Sequence, residues 1–280
     1  MDRLLVTDLD GTLLRSDRSL SPFTISELNT ALASGLALTY ATARSLHSAA
    51  PLLAAVAFRL PAIVFDGAMV VEPESGRVLR QTLLQPELAA AALAAARARG
   101  LRPMVFGFAA GREVARYTAP VNAAERRWEE GRQRVGDPRL QLVPEVEAPE
   151  EPVLMQCIAT HAEAAGLLAD LRGRFGSQVT CGLIHDVYMP DYYQLQVHHP
   201  DANKGAALRW VAGHLGVAPG DITVFGDNDN DLAMFAVAGR RLAVANAEPH
   251  VRAAADAVLG SCDEDAVATY VADLRRRLSP

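Results

Sequence analysis

Two short apolar runs, far apart in the chain, each end in aspartates and a glycine turn. Residues 3–7 lead directly into Asp8 and Asp10, and residues 222–225 lead into an aspartate-rich stretch at 226–231. An apolar run that stops at a carboxylate and a glycine is typical of a buried parallel strand followed by a loop. Ligands of open α/β sheets bind outside the carboxyl ends of the strands. The two runs therefore predict an α/β fold with its site at those strand ends.

The segments after the first run alternate between helix and strand. Ser21 is a good N-cap for a helix over residues 22–34, and Gly35 is a good C-cap. Second and third strands are predicted over residues 36–41 and 62–65. This alternation is the order of a doubly wound parallel sheet.

The middle of the chain has a different pattern. An alanine-rich helix over residues 86–99 is followed by pairs of short strands with helices between them, which is typical of an α+β module. The α/β pattern returns with a helix over residues 205–215. We therefore predict a catalytic core formed by residues 1–82 and 193–280, and an inserted cap domain formed by residues 83–192. Large inserts of this kind commonly cover an active site.

Composition and charge narrow the class of protein. Hydrophobic residues make up 50% of the chain and charged residues 21%, which excludes a disordered chain. The net charge of −6 leaves no basic excess for a phosphate backbone, so we expect no nucleic-acid partner. Asp8 and Asp10 interrupt the first apolar run, which argues against a signal peptide or a membrane anchor. The three cysteines lack CxxC spacing, so we expect a soluble cytoplasmic protein.

The aspartates at the two strand ends predict a cation site. Carboxylates brought together there repel one another unless a cation neutralises them. A hard divalent ion with oxygen ligands fits this set, and Mg²⁺ fits best if the substrate brings phosphate oxygens. For a single aspartate, a role in capping a helix or a turn is the simpler explanation. The presence of both clusters favours the metal.

Lys204 and Thr42 are candidates for binding a phosphoryl group. Lys204 begins a predicted helix, where its charge opposes the helix dipole and needs an anion nearby. Thr42 follows the second predicted strand and has a hydroxyl that can donate to the same phosphate oxygens. The alternatives are a solvated lysine and a threonine that caps a helix. Asp8 and Asp10 can divide the chemistry, with one carboxylate attacking phosphorus and the other transferring protons.

Four segments carry a resemblance to a known family. They are Asp8-Leu-Asp-Gly-Thr-Leu-Leu, Ala41-Thr-Ala-Arg, Asn203-Lys-Gly-Ala-Ala-Leu and Gly226-Asp-Asn-Asp-Asn-Asp. In this order they resemble the four motifs of the haloacid dehalogenase (HAD) superfamily, and more narrowly of its Cof-type phosphatases with a large α/β cap. The resemblance implies a Rossmann-like core with an inserted α+β cap. It also implies Mg²⁺-dependent hydrolysis of phosphate monoesters through an aspartyl-phosphate.

The resemblance assigns the chemical roles by position. Asp8 would be the nucleophile and a metal ligand. Asp10 would be the general acid and base and would offer its backbone carbonyl to Mg²⁺. Asp227 would be the third protein ligand of the metal, and Thr42 and Lys204 would hold the phosphoryl group.

The resemblance also implies supporting residues around these groups. Asn230 and Asp231 would orient Lys204 and water on the metal. Asn246 and Arg44 would lie near the site. Ala43 would line the phosphate with Thr42.

Two positions depart from the family pattern. Ala43 stands where the family usually has glycine, which implies that no glycine conformation is needed there or that the loop has shifted. Asp66 stands where the family usually has asparagine. An extra carboxylate near a phosphate is unfavourable unless it turns away or faces the metal.

We therefore expect a phosphatase acting on a small phosphorylated metabolite such as a sugar phosphate, either as a monomer or as a homodimer. One alternative is a phosphomutase on the same fold. Another is a non-catalytic protein that binds a phosphorylated ligand. The pairing of Asp8 with Asp10 favours catalysis.

Overall fold

A computed structural model of the chain describes residues 4–186 and 189–278. Two compact units are present. The first comprises the described residues up to Gln81 and from Asn203 onward, and the second comprises Thr82–Ala202.

The elements are numbered along the chain. The strands are β1 (Leu4–Thr7), β2 (Leu38–Tyr40), β3 (Ala62–Val64), β4 (Met69–Val71), β5 (Val78–Gln81), β6 (Met104–Ala109), β7 (Arg112–Tyr117), β8 (Leu140–Leu142), β9 (Glu151–Thr160), β10 (Thr180–His185), β11 (Tyr192–His198), β12 (Ile222–Gly226), β13 (Arg240–Ala243) and β14 (Ala257–Val258). The helices are α1 (Pro22–Ala33), α2 (Leu46–Leu53), α3 (Pro86–Ala98), α4 (Ala123–Arg134), α5 (His161–Phe175), α6 (Lys204–Leu215), α7 (Leu232–Phe235), α8 (Pro249–Ala254) and α9 (Ala266–Leu278).

The first unit is built on a parallel sheet with strand order β14-β13-β12-β1-β2. Strand β1 is central, with Val6 opposite Val224 of β12 on one side and Thr39 of β2 on the other. All four residues of β1 are buried, as its continuous apolar sequence predicts. The N-cap also agrees with the sequence, since Ser21 accepts from the Thr24 backbone at the start of α1. The C-cap is Ser34, one residue before the predicted Gly35, which follows it with a positive φ. This order places the carboxyl ends of β12, β1 and β2 side by side.

The third strand differs from the prediction. Strand β3 pairs antiparallel with β4 in a separate sheet of order β3-β4-β5, and a single parallel bridge joins Ile63 to Ala41 after β2. The reason is the short 3₁₀ turn at Phe65–Gly67, which reverses the chain after three strand residues.

The second unit has a mostly antiparallel sheet with strand order β10-β11-β9-β6-β7-β8. Helices α3 and α5 contact β9 and contribute to one buried core, which includes Leu93, Met155 and Leu167. The α/β core and the α+β insert agree with the predicted fold class. No helix in the described part of the chain is long and apolar enough to cross a membrane.

The end of the insert lies later than the sequence indicated. The predicted second part of the core begins at residue 193, but β11 pairs with β9 and β10. Leu195 and Val197 are buried in the core of the second unit. These long-range pairings place β11 in the second unit, which ends at Ala202.

Candidate active site

The predicted site residues of three neighbouring strands come together at their carboxyl ends. Asp8 directly follows β1, and its backbone N–H donates to the Phe225 carbonyl of β12 at 3.0 Å. Asp227 follows β12 and Thr42 follows β2 closely. Asp8 and Thr42 are buried. The parallel sheet therefore brings residues from both ends of the sequence into one site.

Lys204 lies between two of the carboxylates. Its Nζ donates to Asp8 Oδ1 at 2.6 Å and to Asp231 Oδ1 at 2.7 Å. The Lys204 side chain is completely buried at the first residue of α6. A lysine ammonium has three N–H donors, so one remains for an oxygen of a ligand.

Burial and neighbouring charges shift the pKa values of Asp8, Asp227 and Lys204. Burial raises the pKa of Asp8 well above its ordinary value, and the nearby charges of Asp231 and Asp227 raise it further, against the opposing effect of Lys204. Burial, followed by the charge of Asp231, raises the pKa of Asp227 to about 7. Burial alone would lower the pKa of Lys204, but Asp231 and Asp8 outweigh it and the pKa is raised. The site therefore holds more negative charge than Lys204 alone balances.

This donor set fits a divalent metal ion. Oxygen atoms of Asp8, Asp227 and Asp231 lie within 4.8 Å of one another. A Cβ atom on Gly11 would lie 2.5 Å from Asp227 Oδ2, so glycine leaves space beside that oxygen. Carboxylate oxygens at this separation are the ligands that hard divalent cations prefer.

Asp231 is already engaged on both of its oxygens. Oδ1 accepts from Lys204, and Oδ2 accepts the backbone N–H groups of Asp227 at 2.9 Å and Asn228 at 3.1 Å. Asp8 and Asp227 are therefore the carboxylates with oxygens best placed for a metal. Gly226 makes this arrangement possible, because a Cβ there would lie 2.5 Å from the Asp231 Cβ.

Asp10 lies in the loop after β1, as Asp8 does, but its partner is Arg44. Arg44 donates from Nε to Asp10 Oδ2 and from Nη2 to Asp10 Oδ1, both at 2.6 Å. The pair is partly open to solvent, with 39% of the Asp10 side chain exposed. The carboxylate of Asp10 is thus held by Arg44, outside the cluster formed by Asp8, Asp227 and Asp231.

The loop after β2 explains one departure from the family pattern. The Thr42 hydroxyl accepts the backbone N–H of Arg44 at 3.1 Å, which leaves the hydroxyl hydrogen free to donate. Ala43 lies between them and is not among the residues with positive φ. A glycine conformation is therefore not required at position 43.

Asn230 and Asn246 both hold loops around the site. The Asn230 amide donates to Asp66 Oδ1 at 2.8 Å, so its observed partner is Asp66, and Lys204 is oriented by Asp231. Asn246 donates to the Gly11 carbonyl at 2.8 Å and accepts the Cys262 backbone N–H at 2.9 Å. Asn246 thereby joins the loop after β13 to the loop after β1.

Sequence reasoning missed two residues of this site. The Thr12 hydroxyl donates to Asp227 Oδ1 at 2.9 Å and is buried. Thr12 directly follows Asp8, Asp10 and Gly11 in the sequence, and this position in the same loop could have indicated a place in the site. Gly205 is the second, since a Cβ there would lie 2.1 Å from the Ala233 carbonyl. Its close packing holds the start of α6, and hence Lys204, near Asp231.

Comparisons with known proteins find phosphatases among the relatives of this chain. An HMP-PP phosphatase of Cronobacter sakazakii is 30% identical over 275 residues, which cover 97% of this chain and 95% of the relative. A phosphoglycolate phosphatase of Halorubrum lacusprofundi is 41% identical over 85 residues, which are 30% of this chain and 37% of the relative.

Solved structures share the fold along almost the entire chain. A protein of Thermotoga maritima matches with a TM-score of 0.76 and 25% identity, covering 100% of this chain and 98% of that one. A haloacid dehalogenase-like hydrolase of Bacteroides thetaiotaomicron matches with a TM-score of 0.81 and 20% identity, covering 98% of this chain and 100% of that one.

The fold and the aspartate cluster define an enzyme with an acidic site at the ends of a parallel sheet. A family model of haloacid dehalogenase-like hydrolases matches residues 5–271, and the chain belongs to that family. Its relatives place it among the phosphatases of the family.

Proposed function

We propose that this chain is a Mg²⁺-dependent phosphatase that hydrolyses small phosphate monoesters through an aspartyl-phosphate on Asp8. The observation that carries the proposal is the buried arrangement in which Lys204 lies between Asp8 and Asp231, with Asp227 beside them. This arrangement combines a carboxylate nucleophile, a cation for the phosphoryl oxygens and a metal-binding pair in one place.

Asp8 is the proposed nucleophile. Its Oδ1 is fixed by Lys204, which orients the carboxylate and leaves Oδ2 for other partners. Attack of an Asp8 oxygen on phosphorus forms the acyl phosphate and breaks the bond to the ester oxygen. The third N–H of Lys204 and the hydroxyl of Thr42 donate to the phosphoryl oxygens as charge shifts toward them.

Mg²⁺ is the proposed metal, held by Asp8 and Asp227 with the backbone carbonyl of Asp10. When bound, it neutralises the carboxylates and polarises a phosphoryl oxygen. Thr12 orients Asp227 for this role through its hydroxyl.

Asp10 is the proposed proton carrier. It protonates the leaving oxygen and then takes a proton from the water that attacks the acyl phosphate. Both of its oxygens accept from Arg44, which fixes the orientation of the carboxylate and leaves a second lone pair on each oxygen.

The substrate class is a small phosphorylated metabolite, and the second unit selects its leaving group. The names of the relatives suggest HMP-PP and phosphoglycolate as first substrates to test. We also propose a cytoplasmic location, supported by three free cysteines, of which Cys157 and Cys262 are buried.

The test is release of inorganic phosphate by metal-stripped protein, with and without added Mg²⁺. The panel contains HMP-PP, phosphoglycolate, a sugar phosphate and p-nitrophenyl phosphate, and Asp8→Asn serves as the inactive control. We expect release that depends on both Mg²⁺ and Asp8. Undiminished release in excess chelator would contradict the metal requirement. An isomeric sugar phosphate formed in place of free phosphate would indicate a phosphomutase.

A further inference from the structure

The turn after β3 has an unusual backbone. Phe65, Asp66 and Gly67 have φ values of +49°, +54° and +96° in succession. Left-handed conformations are costly for a bulky residue such as Phe65, and strain of this kind persists only where the surroundings impose it. Such strain concentrates at functional sites.

Backbone contacts tie this turn to the phosphate-binding elements. The Phe65 N–H donates to the Arg44 carbonyl at 2.8 Å, and the Asp66 N–H donates to the Thr42 carbonyl at 2.9 Å. Gly67 packs against the chain just before α6, since a Cβ there would lie 2.2 Å from the Asn203 carbonyl and 2.7 Å from the Lys204 nitrogen. The turn therefore touches the loop of Thr42 and the start of the helix that carries Lys204.

The Asp66 side chain adds a third connection. Asp66 is half-buried, and its Oδ1 accepts the Asn230 amide at 2.8 Å. Burial is the largest influence on the pKa of Lys204 and lowers it. The charges of Asp231, Asp8 and Asp66 raise this pKa, in decreasing order of size. Asp66 thus acts electrostatically on Lys204 while its side chain holds the loop of Asn230.

Resting on the proposed function, we propose that Asp66 is a positioning residue with two separable effects. Its hydrogen bond fixes Asn230 and with it the loop that carries Asp231. Its negative charge weakens the binding of inorganic phosphate, which is the product, and so favours product release. An asparagine at this position would keep an oxygen to accept from Asn230 and would lack the charge.

The physical basis of the second effect is repulsion between like charges. Lys204 already faces Asp8 and Asp231 at hydrogen-bond distance, so a bound phosphate finds a positive group that is largely compensated. Removing the negative charge of Asp66 is therefore expected to strengthen anion binding by about threefold to tenfold at the effective dielectric of a partly buried site.

Two variants separate the charge from the hydrogen bond. Asp66→Asn keeps the acceptor and removes the charge, and asparagine tolerates a left-handed backbone. Asp66→Gly removes the side chain, and glycine adopts positive φ without strain, so the turn can keep its conformation. Asp201→Asn, at an exposed position in the second unit, is the control for loss of one negative charge.

The primary measurement is calorimetric titration of the Mg²⁺-loaded protein with inorganic phosphate. We expect Asp66→Asn to bind phosphate about threefold to tenfold more tightly than the wild type, and Asp201→Asn to bind it with unchanged affinity. Equal affinities of wild type and Asp66→Asn would overturn the effect of charge. Absence of Mg²⁺-dependent phosphate release from every ester of the panel by the wild type would instead contradict the proposed function itself.

The positioning effect is measured by turnover of p-nitrophenyl phosphate. We expect Asp66→Gly to lower kcat by between about fivefold and a hundredfold, because Asn230 loses its anchor. In an Asn230→Ala background, Asp66→Gly should cause little further loss, since both changes break one contact. Independent, multiplying losses in the double variant would overturn this role of Asp66.

Discussion

In the proposed mechanism, the side chain of Asp8 has to become a charged nucleophile inside the protein. It is buried, it is bonded to Lys204, and its pKa is raised by burial and by neighbouring carboxylates. Such a group serves as a nucleophile only when cations hold it in the charged form. Lys204 and the proposed divalent metal together would meet that condition.

Replacing the nucleophile tests this role directly. Asp8→Asn keeps the size of the side chain and removes the attacking charge, so we expect turnover to fall by at least about a thousandfold. Asp201→Asn should retain full turnover. Steady-state release of phosphate measures both, and circular dichroism confirms that each variant is folded. Wild-type turnover by Asp8→Asn would contradict the covalent mechanism.

The raised pKa values predict a link between pH and metal binding. The pKa of Asp227 is raised to about 7 by burial and by Asp231, so the folded, metal-free protein keeps a proton that the unfolded chain releases near pH 4. Raising the pH from about 4 to about 7 therefore lowers the free energy of unfolding, by up to about 1.4 kcal/mol per pH unit for this group. If Asp227 binds Mg²⁺ as proposed, the ion replaces this proton, and we expect it to bind more tightly at high pH.

The expected result is a larger increase in Tm on adding Mg²⁺ at about pH 7.5 than at about pH 5. Differential scanning calorimetry of metal-stripped protein measures this increase. Asp227→Asn has no proton to release at this position, so its Mg²⁺-induced increase should be small at both pH values. An equal increase at the two pH values in the wild type would argue against Asp227 as a ligand.

Secondary-structure features that depend on a few neighbouring residues were predicted from the sequence. The N-cap Ser21 and the apolar run of β1 each act within a few residues, and both were predictable. The placement of β11 in the insert was not, because it depends on register with β9 across a long separation in sequence. The pairs Asp10–Arg44 and Asp66–Asn230 were unpredictable for the same reason.

The turn between β3 and β4 is the element on which we expect the site to depend most. Gly67 and Gly35 both have positive φ. A Cβ on Gly67 would clash with the backbone of Asn203, whereas a Cβ on Gly35 would lie in open space. Alanine at either position costs about 1–2 kcal/mol for the left-handed backbone. At Gly67 the clash should add about 1–3 kcal/mol and displace the start of α6.

Urea denaturation and kcat measure the two effects. We expect Gly35→Ala to lose some stability and no activity, and Gly67→Ala to lose more stability and most activity, because Lys204 moves with α6. Similar results for the two variants would show that contact of the turn with α6 does not position Lys204.

In the chain as a whole, the proposed site residues all belong to the first unit, and none lies within Thr82–Ala202. We therefore expect chemistry and selectivity to be separable. Replacing Thr82–Ala202 with a short Gly/Ser linker should leave a folded, Mg²⁺-binding unit that still hydrolyses p-nitrophenyl phosphate. Its discrimination among larger esters, measured as ratios of kcat/KM, should fall. Full discrimination by the shortened protein would contradict a role of the second unit in selection.

In the proposed mechanism the phosphoryl group is bonded to Asp8 during turnover, and this bond can be trapped chemically. Asp10→Asn with p-nitrophenyl phosphate suits the experiment, because p-nitrophenolate leaves without a proton whereas hydrolysis of the acyl phosphate needs a base. We predict a burst of about one p-nitrophenolate per site. Borohydride then reduces the acyl phosphate, and mass spectrometry should find homoserine at position 8. A burst with homoserine elsewhere, or no burst and no change at Asp8 while the wild type turns over, would contradict the account.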